Sequence, residues 1–155
     1  MGTRSVIGVM HGDNCKAVYC HWDGYPSHNG RILQEYYNDS AKVNHLISLG
    51  DISSLKPSIG EKHPFSIFET KMSREEYDSL YGDMTTFYGR DRDEPNVQFK
   101  TFLNWEEFVR FFDKVGAEYA YIMRDGVWYM SEYSANGAME LRLLETELEL
   151  DAQQA

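Results

Sequence analysis

The side chains that could do chemistry gather in one short segment, YCHWDGYPSHNG, at residues 19–30. In an extended strand Tyr19, His21 and Asp23 point to one face, because successive side chains alternate between faces. Pairing this strand with the N-terminal strand places Arg4 opposite Asp23, within reach of a charge-assisted hydrogen bond. Such a cluster would hold a small anion, a nucleotide or a peptide carboxylate. The structural alternative is that an ion pair and a histidine simply fix the end of a hairpin.

A second polar segment, YGRDRDEPN at residues 88–96, alternates the cations Arg90 and Arg92 with aspartates. Alternating charges are typical of a solvated loop, but a planar guanidinium on a loop rim also grips phosphate or carboxylate. The ligand-binding residues that we predict are Arg4, His21, Asp23, Tyr25, Arg90 and Arg92.

Catalysis is the alternative for the same segment, because His21 and Asp23 could act as an acid–base pair in a small hydrolase or nuclease. The chain contains neither a GxSxG elbow nor a glycine-rich phosphate loop. A zinc site built from Cys20, His21, Asp23 and His28 is awkward, since strand parity turns Cys20 towards the core. We therefore predict no catalytic residues, no metal and no cofactor.

The two cysteines, Cys15 and Cys20, have no CxxC spacing. In a strand they would lie roughly 17 Å apart and on opposite faces, which argues against a mutual disulfide. We expect free thiols in a reducing compartment.

The net charge of −10 and pI near 4.9 argue against general nucleic-acid binding. Residues 1–77 carry eight basic and nine acidic residues, whereas residues 78–155 carry seven basic and sixteen acidic ones. The acidic end at residues 138–155 is either a solvated helix face or a surface that imitates DNA. No apolar run is long enough for a membrane span and no secretory signal is evident, so we expect a soluble, intracellular protein.

The elements that must position these residues begin with a hairpin of residues 3–10 and 15–22. With a two-residue loop at Asp13-Asn14, the opposed pairs are Met10–Ala17, Gly8–Tyr19, Val6–His21 and Arg4–Asp23. The other face then carries the apolar side chains Ile7, Val9, Val18, Cys20 and Trp22.

The remaining pattern predicts two short helices within residues 32–47, an irregular loop at 50–72 and a short helix capped by Ser73. Strands at 84–88 and 97–102 follow, then a helix capped by Asn104, a hairpin turning at Asp125-Gly126, and a terminal helix. We therefore predict an α+β fold: a mainly antiparallel sheet built from hairpins, with helices packed on one face. Residues 1–137 would form a single domain, and residues 138–155 an acidic C-terminal helix or tail.

Five segments of the chain together resemble a group of small phage-encoded proteins of unassigned function. They are MGTRSVIGV, VYCHWDGYPSHNGRIL, LISLGDISSL, FYGRDR and GVWYMSE. The resemblance spans residues 3–132 apart from 60–80, and its most specific part is HWDGYP. It carries no catalytic assignment. It implies a phage accessory protein in the cytoplasm of an infected host cell, where such proteins bind a host protein or sequester a signalling nucleotide.

The leading functional hypothesis is therefore an accessory protein of host takeover or counter-defence that binds a host protein or a small anionic, nucleotide-like ligand. It would contact neither nucleic acid directly nor a membrane, and self-association is left open. The alternatives are the small hydrolase or nuclease and the acidic DNA mimic.

Overall fold

The computed structural model describes residues 2–133 and 139–153, which form six α-helices and one eight-stranded sheet. The strands are β1 (Ser5–His11), β2 (Asn14–Cys20), β3 (Ile52–Ser54), β4 (Thr86–Phe87), β5 (Lys100–Phe102), β6 (Tyr119–Arg124), β7 (Val127–Glu132) and β8 (Arg142–Leu143). The helices are α1 (Arg31–Tyr36), α2 (Ser40–Ser48), α3 (Arg74–Tyr81), α4 (Tyr88–Arg92), α5 (Trp105–Lys114) and α6 (Leu144–Gln153). A π-helical turn covers Pro26–Gly30 and a 3₁₀ turn covers Ile67–Glu69. The predicted α+β class is confirmed.

The sheet is mixed rather than purely antiparallel. Its order is β4-β3-β2-β1-β6-β7-β8, and β5 also pairs with β2. Two antiparallel hairpins, β1–β2 and β6–β7, lie side by side through the parallel pair β1–β6. A second parallel contact joins Cys20 of β2 to Ile52 of β3. Hairpin signals report pairing between neighbours in sequence, so they did not indicate these two long-range parallel contacts.

The predicted register of the first hairpin is wrong by two residues. The turn is Gly12-Asp13, so that His11 pairs with Asn14 and Ser5 with Cys20. Gly12 has φ +61°, a conformation that glycine adopts without the steric cost of a side chain, and this fixes the turn one residue earlier than predicted. Each residue of β1 keeps its predicted face because the partner shifts by an even number.

Both faces of the sheet are covered, so the expectation that the helices pack on one face needs correction. Ile7 and Val18 pack in one core with the helices α1, α2 and α6. Val6 and Ala17, on the opposite face, pack in a second core with Phe108 of α5. The two faces also separate the cysteines, as predicted: Cys20 lies in the first core and Cys15 in the second, both as free thiols. Burial raises the pKa of each thiol to about 12.

Several local signals are confirmed. Ser73 accepts a hydrogen bond from the Glu76 amide at the start of α3, and Asn104 accepts one from the Glu107 amide at the start of α5. Asp125 and Gly126 join β6 to β7, with both residues at positive φ. The predicted strands at 84–88 and 97–102 shrink to β4 and β5, and the charged loop between them begins as the helix α4.

The C-terminal acidic segment contains the helix α6, which buries Leu144 and Leu148 in the first core. Glu145, Glu147, Glu149 and Asp151 lie on this helix, which packs onto the sheet. The boundary proposed at residue 137 falls within residues 134–138, outside the described part. No helix in the described ranges has both the length and the apolar character needed to cross a bilayer.

Candidate functional site

The corrected hairpin register separates Arg4 from Asp23. Strand pairing ends at Ser5–Cys20, and the Arg4 guanidinium donates to the carbonyl of Val115, 3.3 Å away, at the C-terminal end of α5. Among the described residues Arg4 and Asp23 form no ion pair. The predicted bridge across the hairpin is therefore absent, and Arg4 instead satisfies an end-of-helix carbonyl.

His21 lies at the end of the first hairpin, beside Tyr19 and Trp22. Its Nδ1 is 2.6 Å from the Tyr19 hydroxyl, and its ring meets the Trp22 ring edge-on with centroids 4.7 Å apart. Burial, and after it the positive charge of Arg4, lowers the pKa of His21. With its Nδ1 bonded to the Tyr19 hydroxyl, the His21 imidazole can pack against neighbouring aromatic rings such as Trp22. The predicted partner of His21, Asp23, is not within ion-pair distance of it.

Asp23 and Tyr25 form the outer part of the same segment. Asp23 has φ +55° and its carboxylate accepts a hydrogen bond of 3.4 Å from the Tyr25 hydroxyl. Tyr25 is exposed and its ring lies 6.0 Å from that of His28. These contacts form a local surface turn, so Arg4 and the three predicted residues of this segment do not converge on one pocket.

Much of the DGYPSHNG segment has a structural role that the sequence analysis missed. The fully buried Asn29 amide donates to the Ser5 hydroxyl, the Cys20 thiol and the Trp22 carbonyl at 3.4, 3.3 and 3.2 Å. A Cβ on Gly24 would lie 2.8 Å from the Cβ of Ser5, so only glycine fits against β1 there. This packing fixes the backbone on both sides of Trp22.

Arg90 is a buried structural residue rather than a free cation. Its guanidinium donates to Asp91, to the Ile59 carbonyl at 2.9 Å and to the Thr85 carbonyl at 2.8 Å. The Arg90 side chain is 14% exposed, and that of Asp91 is fully buried. Arg92 is more accessible: its guanidinium pairs with Glu94 at 2.7 Å and lies 4.3 Å from the centre of the Phe65 ring. Of this predicted pair, Arg92 is the more exposed, with 48% of its side chain accessible.

Asp91 is the centre of a buried polar cluster that the sequence did not reveal. Besides Arg90, it accepts hydrogen bonds from the amides of His63 and Phe87 at 3.1 and 2.8 Å. The buried His63 ring contacts the Thr86 hydroxyl through Nε2 at 3.2 Å and stacks on Tyr81. Thr86 and Tyr81 face a surface cleft, so the cluster holds one wall of that cleft in place.

The cleft has a volume of about 630 Å³ and lies between β3, the 3₁₀ turn, α3 and β4. This size falls within the range of small-molecule sites in proteins. Five aromatic side chains line it: Trp22, Phe65, Phe68, Tyr77 and Tyr81. Trp22 brings the HWDGYP segment to one end of the cleft, although the predicted ligand-binding residues are not among those that line it.

Phe68 stands almost free of the protein at the rim of the cleft, with 91% of its surface exposed. Its turn is nevertheless held by a capping box, in which Ser66 accepts from the Phe68 amide at 3.2 Å. The Glu69 carboxylate accepts from the amides of Phe65 and Ser66 at 2.8 and 3.4 Å. An exposed phenyl ring on a turn fixed by hydrogen bonds offers a stacking surface to a ligand.

The charged groups of the cleft are two cations and two anions. Arg74 lies 3.6 Å from Asp78 in an exposed i,i+4 pair, and Asp83 is exposed. Lys56 is half-buried between β3 and the cleft, and its ammonium makes no hydrogen bond or ion pair with any described residue. Its backbone is fixed, since its carbonyl accepts a hydrogen bond of 2.7 Å from Tyr37. Lys56 is thus a cation of the cleft that has no side-chain partner among the described residues.

No three or more His, Cys, Asp or Glu side chains within residues 2–133 and 139–153 form a group able to hold a metal ion. A comparison of this chain with protein-family models, with curated proteins and with solved structures gives no match in any of the three.

Proposed function

We propose that this protein acts by binding a small, planar, anionic ligand of the nucleotide class in the aromatic cleft. The observation that carries the proposal is the ammonium of Lys56, which has no partner among the described residues and belongs to a cleft lined by five aromatic rings and several hydroxyl groups. The cleft also contains the exposed pair Arg74–Asp78 and the carboxylate of Asp83. A base would stack on rings such as Trp22 and Phe68, since stacking is tolerant of base identity. The phosphate would meet Lys56 in a charge-assisted hydrogen bond.

Binding rather than turnover is favoured by the arrangement of the titratable groups. His21 and Asp23, the pair on which a hydrolase or nuclease would depend, are bonded to different tyrosines, Tyr19 and Tyr25. His63 has protein partners at both ring nitrogens and is buried. An acid–base pair must act together on one reacting centre, whereas His21 and Asp23 are held by different partners and His63 is buried.

The biological setting that we propose follows from the resemblance to phage-encoded proteins. In the cytoplasm of an infected cell, a protein of this kind would sequester a nucleotide and withhold it from host enzymes. Contact with a host protein is the other form of this hypothesis, and it would use the exposed segment around Tyr25.

Isothermal titration with deoxyadenosine monophosphate tests the proposal, with inorganic phosphate and deoxyadenosine as partial ligands. Lys56→Met should weaken binding about tenfold or more, the worth of one charge-assisted hydrogen bond. Asp83→Asn should strengthen it by removing a like charge from the cleft. Lys62→Met is the matched control, because Lys62 is 63% exposed and pairs with Asp93 outside the cleft.

Saturable binding that Lys56→Met weakens and Lys62→Met does not would support the proposal. The proposal fails if the wild-type protein does not bind the nucleotide, or if both lysine variants bind it as wild type does. Capture of a host protein that depends on Tyr25, without any nucleotide binding, would favour the protein-contact hypothesis instead.

A further inference from the structure

Aromatic side chains continue beyond the cleft as a second surface, which we call the aromatic strip: Tyr19, His21, Trp22, Phe65 and Tyr88. Trp22 and Phe65 belong to the cleft, and the other three extend from them. Ring centroids are 4.7 Å apart for His21–Trp22, 5.9 Å for Tyr19–His21 and 5.6 Å for Phe65–Tyr88. The strip thus leaves the cleft at two points.

The two branches of the strip meet at Asp51. The Tyr19 amide donates to the Asp51 carboxylate at 3.0 Å, and the Tyr88 amide donates to the Asp51 carbonyl at 3.2 Å. Backbone hydrogen bonds of 3.0 Å also hold His21 and Trp22 along the neighbouring strand β3. The rings therefore belong to backbone segments that are hydrogen-bonded to one another rather than to separate loops.

A cation lies at each branch of the strip. The Arg92 guanidinium is 4.3 Å from the Phe65 ring centre and 5.2 Å from that of Tyr88, and its side chain is 48% exposed. At the other branch, the pairing of Ser5 with Cys20 brings the next residues, His21 and the exposed Arg4, side by side at the end of the hairpin. Rings interleaved with exposed guanidinium groups are typical of surfaces that bind single-stranded nucleic acid.

Two acidic groups also lie along the strip. Asp51 accepts a hydrogen bond from the Tyr19 amide, and burial, the largest cause, raises the pKa of its carboxyl group. Glu94 pairs with Arg92, so a phosphate there must displace an exposed carboxylate. Exposed ion pairs of this kind contribute little, so a phosphate can compete for the guanidinium.

We propose that the cleft and the aromatic strip together bind a single-stranded oligonucleotide of at least two nucleotides, the first in the cleft and the next along the strip. This inference rests on the proposed function of the cleft and names the ligand class more closely. The net charge of −10 opposes a long or double-stranded nucleic acid, whereas two or three nucleotides are within the reach of local cations.

The test compares the affinity of deoxyadenosine monophosphate with that of the 5′-phosphorylated dinucleotide of deoxyadenosine. Stacking of a second base should make the dinucleotide bind about tenfold more tightly or better. Because the second nucleotide can follow only one of the two branches, either Arg4→Gln or Arg92→Gln should reduce this ratio. Arg124→Gln should not, and it is a matched control because Arg124 also lies over a ring, that of Tyr129, on the β6–β7 hairpin.

The two proposals fail in different ways. If neither ligand binds, the proposed function fails and this inference with it. If the mononucleotide binds and the dinucleotide gains less than about twofold, only the inference about the strip is overturned. A gain that Arg4→Gln, Arg92→Gln and Arg124→Gln all leave unchanged overturns it as well, because the second nucleotide would then lie elsewhere.

Discussion

Replacing Asp91 with asparagine tests whether the buried polar cluster holds the cleft wall. The carboxylate accepts from the amides of His63 and Phe87 and from two nitrogens of Arg90, at distances of 2.8 to 3.2 Å. Asparagine keeps the shape of the side chain but has one oxygen and an NH₂ group. The NH₂ group of the asparagine would therefore face N–H donors and could not accept hydrogen bonds from them. The positive charge of Arg90 would also lose its carboxylate partner.

The expected loss of stability follows from burial. The Asp91 side chain is fully buried and that of Arg90 is 14% exposed, so water cannot solvate the unpaired Arg90 guanidinium in place of the lost carboxylate. Removing one partner of a buried ion pair costs about 3–5 kcal/mol, and the retained amide oxygen places this case near the lower value. For a domain of this size a loss of about 3 kcal/mol corresponds to a fall in Tm of about 6–12 °C.

Urea unfolding monitored by circular dichroism measures this loss, with Asp93→Asn as the control. Asp93 is two residues away, its side chain is 83% exposed, and its pairing with Lys62 at 3.4 Å is a surface contact. The control should change the free energy of unfolding by less than about 0.5 kcal/mol. Equal effects of the two substitutions would refute the argument that the Asp91 cluster holds the cleft wall.

Three further outcomes follow from the electrostatics. NMR titration should find the pKa of His21 below its usual value, because burial and Arg4 both lower it, and Arg4→Gln should raise it; an unchanged pKa would contradict their proximity. Burial raises the pKa of Asp51, so the ionisation of Asp51 lowers the stability of the folded protein as pH rises through that pKa. Asp51→Asn should therefore stabilise the protein at pH 7 and lose this advantage below about pH 4. Equilibrium unfolding at both pH values tests this. Burial raises the pKa of Cys15 and Cys20 to about 12, so neither should react with iodoacetamide at pH 8 until the protein unfolds, and rapid native alkylation by intact mass would contradict this.

Signals between residues close in sequence predicted much of the fold. Asp125-Gly126 specifies a two-residue turn, and Ser73 and Asn104 specify helix starts, because each acts through its own neighbours. The predicted register of the first hairpin was wrong for an equally local reason. Gly12 adopts positive φ at a low steric cost, so the turn forms at Gly12-Asp13 and not at Asp13-Asn14. The parallel pairing of β1 with β6 involves residues over a hundred positions apart, for which no local pattern exists.

The candidate site was harder to predict than the fold. Arg90 and Arg92 occupy equivalent positions in an alternating run of charges, so the sequence does not distinguish them. Arg90 has a structural role because it pairs with the buried Asp91 carboxylate. The cleft gathers side chains from β3, the 3₁₀ turn and α3, none of which forms a short motif, so Lys56 and Phe68 carried no signal. From the HWDGYP segment Trp22 lines the cleft, whereas the predicted residues His21, Asp23 and Tyr25 do not.

The most direct measurement uses the three tryptophans as reporters during titration with deoxyadenosine monophosphate. Trp22 lines the cleft, whereas the indole of Trp128 donates to the Tyr37 carbonyl within the core and Trp105 lies on α5. In ¹H–¹⁵N spectra, assigned with tryptophan-to-phenylalanine variants, the indole resonance of Trp22 should shift with saturation while the other two stay in place. No shift at Trp22, or a saturating shift at Trp105 instead, would contradict a nucleotide site in the aromatic cleft.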